Sequence, residues 1–147
     1  MMKLSQSVTY AIHAVLRLAS SGKTCPVACG KLAAEGKMPE RFLLQILRDL
    51  TKQGMLESTR GGGGGFVMGR PPEAISLLDL IEAIDGPLAT GLPMKGNFPA
   101  DAGDRLQAVL DRITECTRAH LRAIHLSDLM CDSPGSDDAL RLRQPVV

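Results

Sequence analysis

Residues 39–68 read PERFLLQILRDLTKQGMLESTRGGGGGFVM, and the pattern changes twice within them. Pro39 has the fixed φ that suits a helix start, and Glu40 complements the positive end of the helix dipole. Apolar residues follow at helical spacing: Phe42, Leu43, Ile46, Leu47 and Leu50. The opposite face carries Arg41, Gln45, Arg48 and Lys52, so these four share one stripe. The spacing predicts a helix over 39–53, closed by Gly54. Two short apolar runs then flank Arg60 and five consecutive glycines, Gly61, Gly62, Gly63, Gly64 and Gly65. Strands over 55–59 and 66–68 would make a hairpin with a loose tip.

Upstream, Ser5 can cap a helix over 5–20 whose Val8, Ala11, Ile12, Val15, Leu18 and Ala19 face inward. A shorter helix over 27–35 would bury Ala28, Leu32 and Ala33, with Gly36 as its left-handed cap. Helix, short helix, turn, helix and hairpin together make a winged helix-turn-helix. Downstream, Ser76 and Asp79 form a capping-box candidate for a helix over 77–84. A segment rich in glycine, proline and small residues, 90–103, reads as a loop. A long helix over 104–125 repeats Leu106, Leu110, Ile113, Thr117, His120 and Ile124 at alternating steps of four and three. With Leu121 beside it, this seam is a candidate dimer surface. The expected class is mainly α with a small β-hairpin. A winged-helix domain over 1–87, a loop over 88–103, a dimerisation helix over 104–131 and a disordered tail over 132–147 make up the chain.

The net charge of +1 hides an asymmetry. Residues 1–75 carry ten Lys/Arg against five Asp/Glu, and residues 76–147 carry seven against eleven. A basic first half suits a polyanion. A helix with Arg, Gln and Lys on one stripe can enter the major groove of B-DNA and reach bases and phosphates. A glycine-rich tip allows close backbone approach, and Arg60 can enter the narrow minor groove. Aromatic residues are only 3% of the chain, which argues against a stacking platform for single-stranded nucleic acid. No apolar run reaches the ~20 residues of a membrane span, and His13 and Arg17 interrupt the N-terminal apolar stretch where an export signal needs continuity. A cytoplasmic homodimer on double-stranded DNA, binding a pseudo-palindromic site as a repressor or activator, is the expectation.

Tyr10-Ala11-Ile12, Phe42-Leu43-Leu44-Gln45-Ile46-Leu47, Gly54-Met55-Leu56, the run 60–66, Arg70-Pro71-Pro72 and the segment 75–87 (ISLLDLIEAIDGP) carry a resemblance. In these motifs, and in Leu126-Ser127-Asp128-Leu129, the chain resembles the Rrf2 family of bacterial transcription regulators, the IscR, NsrR and CymR type. The resemblance implies a dimeric DNA-binding regulator, in many members switched by an iron–sulfur cluster. It also implies three closely spaced cluster cysteines after the Gly-Pro, whereas the loop 88–103 has none. A ligand from the first helix is implied in some relatives, and His13 falls near that position. Thr9 stands where an acidic residue would be sought one turn earlier.

The remaining candidates are weighed against plainer roles. Cys25 and Cys29 are four apart, unlike a zinc knuckle, and have no second pair. Cys116 and His120 share one helix face, where they could grip a metal edge or simply pack. His13 lies in a mostly apolar helix. The glycine run lacks the Lys-Ser/Thr ending and the following helix of a phosphate-binding loop. Nothing in the chain resembles a Ser/His/Asp set or a HExxH motif, so no enzyme is expected. A metal- or redox-responsive sensor of the same fold, and a winged helix that docks a protein, are the alternatives.

Overall fold

The structure is a computed structural model, and it describes residues 2–61 and 63–130. Helix α1 (Gln6–Ser21) starts where the Ser5 hydroxyl accepts the Val8 N–H at 3.1 Å. The same hydroxyl donates to Asp85 Oδ1 at 3.0 Å, so one side chain ties the first helix to the end of the fourth. Val8, Ala11, Ala14, Val15 and Leu18 are buried, and Ile12 and Ala19 flank that face partly covered.

Helix α2 spans Cys29–Gly36, two residues later than the spacing predicted. Val27 is held instead in an extended bridge, exchanging both backbone hydrogen bonds with Phe66 at 3.1 and 2.9 Å. Ala28 is therefore an exposed cap rather than an inward residue. The left-handed cap also falls one position on, at Lys37 with φ +52°. Gly36 is needed for space: a Cβ there would sit 2.5 Å from Met38 Cε and 3.0 Å from the His13 ring.

Helix α3 (Glu40–Lys52) buries Leu43, Ile46, Leu47 and Leu50. Pro39 is its N-cap rather than its first residue, so the helix starts one position later and ends one earlier than predicted. Phe42 is not in the core: it is 43% exposed, its ring edge-on to Tyr10 at a 5.8 Å centroid separation. Strand β1 (Leu56–Thr59) pairs antiparallel with β2 (Gly65–Met68), Leu56 opposite Met68 and Thr59 opposite Gly65. The Val27 bridge adds a third edge to this wing.

Helix α4 (Leu77–Asp85) carries the reciprocal capping box, with Ser76 Oγ accepting from Asp79 N–H at 3.0 Å and Asp79 Oδ2 from Ser76 N–H at 3.1 Å. The following segment is pinned to α5 (Ala102–Ala123) by Gln107, which donates to the Thr90 carbonyl at 2.9 Å and accepts from Leu92 N–H at 3.2 Å. Helix α5 begins two residues earlier and ends two earlier than predicted.

Two apolar clusters share the interior. The larger joins α1, α2, α3, the wing and Leu126; the smaller joins Val8, Leu78, Ile81 and Leu121. After α5 the chain turns back, and Leu77 N–H donates to Ile124 O at 2.7 Å while Leu126 N–H donates to Ile75 O at 3.0 Å. The C-terminal helix is thereby fastened to the winged-helix core at its far end. Among the described residues no helix is long and apolar enough to cross a membrane. The expected tail, 132–147, lies outside the described residues, as do Gly62 and Cys131.

Candidate nucleic-acid interface

Burial of the leucine face of α3 turns Arg41, Gln45, Arg48 and Lys52 outward, and all four are exposed. Gln45 Nε2 donates to Asp49 Oδ1 at 3.0 Å, one turn along. Among the described residues Arg41, Arg48 and Lys52 take part in no ion pair or side-chain hydrogen bond. Three exposed cations on one helix face are available to phosphates without first breaking an internal partner.

The wing follows one turn after α3. Thr59 braces its base, its hydroxyl accepting from Gly65 N–H at 3.0 Å and donating to Gly65 O at 3.2 Å. The tip turns at Gly61, φ +114°, where Gly64 N–H donates to the Gly61 carbonyl at 2.9 Å. Arg60, Gly61 and Gly63 are exposed, and Arg60 has no partner among the described residues. Gly65 is different in kind: a Cβ there would lie 2.5 Å from the Val27 carbonyl. The wing thus lies flat against the segment before α2, and glycine is what allows it.

The expected dimer surface is only partly outward. Leu106 and Ile113 are exposed, at 36% and 57%, and Leu110 is half-buried. Leu121 is turned inward, 8% exposed against Val8, Leu78 and Ile81, and Ile124 lies beyond the helix as its cap. The seam drifts because 3.6 residues per turn carries a 3.5-residue repeat around the helix. Val109, 50% exposed, is the outward residue that the heptad reading passed over. With Met2, Ile113, Cys116 and His120 it lines an apolar trough of about 670 Å³. Its signal was present in the sequence as the alternative spacing 106, 109, 113, 116, 120.

The metal candidates stay apart. Among the described residues no three His, Cys, Asp or Glu side chains are grouped to hold an ion. His13 packs beside Gly36. Cys25 is exposed, and the Cys29 thiol donates to the Glu40 carbonyl at 3.7 Å. Burial, and secondarily the Glu40 charge, push the Cys29 thiol up from its ordinary pKa. Cys116 and His120 are one turn apart on the exposed trough. With no cysteine in 88–103 and, among the described residues, no third donor beside any pair, these residues do not fit an iron–sulfur cluster.

A helix-turn-helix and a glycine-tipped wing braced by an antiparallel bridge at Val27 define a winged-helix protein. The sequence pattern of the Rrf2 family, described as an iron-dependent transcriptional regulator, matches residues 4–132. This chain belongs to the Rrf2 family of transcription regulators, and it is not an enzyme. It is 37% identical over 89 residues to a Mycobacterium tuberculosis protein named as an HTH-type transcriptional regulator, a match covering 60% of this chain and 55% of the relative. The matched region spans about half the length of that relative. It is 30% identical to the regulator IscR of Cereibacter sphaeroides, over 88% of this chain and 87% of IscR. The structure of CymR, the global cysteine regulator of Bacillus subtilis, superposes with a TM-score of 0.75 at 25% identity, covering 91% of this chain and all of CymR.

Proposed function

We propose that the protein is a sequence-specific DNA-binding transcription regulator that acts in the cytoplasm as a homodimer. In this reading residues 1–87 form the DNA-binding domain and α5 pairs two copies. Helix α3 enters the major groove, with Arg41 and Gln45 toward base edges and Arg48 and Lys52 toward phosphates. Arg60 and the glycine tip, Gly61, Gly62 and Gly63, follow the adjacent minor groove. Two copies then meet two half-sites ~34–36 Å apart or a multiple of that spacing, which is why a pseudo-palindrome is expected.

The observation that carries this reading is the exposed, unpaired cation stripe on α3 next to a glycine-tipped wing. The test is fluorescence anisotropy on a selected operator across a salt series. Affinity should fall steeply with salt, by a log–log slope of about −0.9 for each phosphate neutralised. Arg48→Ala and Lys52→Ala should each flatten that slope by about one and weaken all sequences alike, while Arg41→Ala and Gln45→Ala should relax specificity by ~1–3 kcal/mol per lost base contact. A salt-independent curve, or unchanged binding by the quadruple alanine variant, would overturn it.

A further inference from the structure

A second cleft, of about 520 Å³, opens where α3, the wing, α4 and α5 converge. Met55 and Leu78, each only 4% exposed, lie beneath a lining that is mostly polar. Its walls carry three arginines: Arg70, just past β2, and Arg118 and Arg122 on the last turns of α5.

Three arginines share this cleft with two carboxylates, Asp79 and Glu82. Glu82 is taken by Arg118, Nη1 to Oε1 at 2.6 Å. Asp79 is taken by the capping box at the start of α4. Arg122 has no acidic partner among the described residues. Arg70 is stranger: its Nε is buried from solvent and makes no hydrogen bond. A buried N–H without an acceptor is costly, and natural folds keep few of them. Two guanidiniums without acceptors in a mostly polar cleft have the composition of a site for a small anion.

We propose that this cleft binds a small anion bearing a carboxylate or a phosphate. The guanidinium groups of Arg70 and Arg122 take the charged end. The cleft also borders Gln53 at the end of α3. An occupant therefore touches the proposed recognition helix, the exit of the wing and the proposed dimer helix together. Resting on the DNA-binding reading above, the proposal assigns the anion as an effector that changes operator affinity.

Binding can be measured without DNA, so the two readings fail separately. The full-length protein is titrated with inorganic phosphate and, separately, with straight-chain carboxylates from acetate to hexanoate, at constant ionic strength. The readouts are calorimetry and the NMR signals of the arginine Nε–H groups. At least one probe should saturate and shift the Arg70 signal. Arg70→Gln and Arg122→Gln should each weaken binding tenfold or more, while Arg105→Gln, on the first turns of α5, should not. Arg122 is exposed, so its variant serves if Arg70→Gln fails to fold. Non-saturating titrations with both probes, or equal binding by Arg122→Gln, would overturn the site even in a protein that binds DNA. A saturating anion that leaves operator affinity within twofold of its value in chloride would overturn the effector role.

Discussion

At the scale of single residues, five identical glycines turn out to have different jobs. Gly63 has open space around its Cβ position, whereas Gly65 lies against the Val27 carbonyl. Gly65→Ala must therefore push backbone away from backbone and should cost about 1–3 kcal/mol. Gly63→Ala should stay within about 0.5 kcal/mol of the wild type. Urea unfolding of the two variants measures the contrast, and equal midpoints would show that the wing is not seated on the Val27 segment. Composition could not separate the two positions, because the contact that distinguishes them comes from 38 residues earlier in the chain. Cys29 makes a second case. Its raised pKa leaves less thiolate at a given pH than an ordinary cysteine would hold. Iodoacetamide at neutral pH should label the exposed Cys25 and Cys116 before Cys29, with Cys29 catching up only as pH rises. Glu40→Gln should lower the Cys29 pKa by removing a negative charge, but modestly, since burial is the larger cause. Peptide mass spectrometry across pH would follow all three sites.

Elements were legible wherever local chemistry sets them. Ser5, Gly54 and the Ser76–Asp79 pair act within one turn, and α1, α3 and α4 begin or end at them. The start of α2 was not legible, because Val27 answers to Phe66 across the wing instead of to its own neighbours. Phe42 fitted the apolar period of α3 but faces out, held by Tyr10 of another helix. The cation stripe of α3 was fully legible: four polar residues on one face leave burial to the other. Ser76 shows what a local signal contributes to a long-range structure. It is 4% exposed and caps α4, and its neighbours Ile75 and Leu77 bond the returning C-terminal segment. Ser76→Ala removes an N-cap acceptor, worth about 0.5–2 kcal/mol. Thermal denaturation should show that loss, and Ser76→Thr, which keeps the oxygen, should recover part of it.

For the whole molecule, the open question in the sequence was which residues of the α5 seam the single chain buries. The structure separates them, although Leu121 also borders the trough. Leu121 belongs to the core with Val8, Leu78 and Ile81, while Ile113, Val109 and Leu106 face out. The two sets should respond differently to substitution. Leu121→Ala creates a cavity inside one chain and should lower stability by about 2–5 kcal/mol, with a similar loss at every protein concentration. Ile113→Glu disturbs nothing that the single chain buries, but it places a charge in the apolar trough that two copies would close. Sedimentation should then find a dimer for the wild type and a monomer for Ile113→Glu. The unfolding midpoint should rise with concentration only in the wild type, because association stabilises by mass action. A monomer presents one recognition helix in place of two, so Ile113→Glu should also lose most of its affinity for a two-half-site operator while keeping its weak, salt-sensitive binding to any duplex. An Ile113→Glu protein that still sediments as a dimer would move the pairing surface away from α5 and leave the spacing of the two recognition helices to another element.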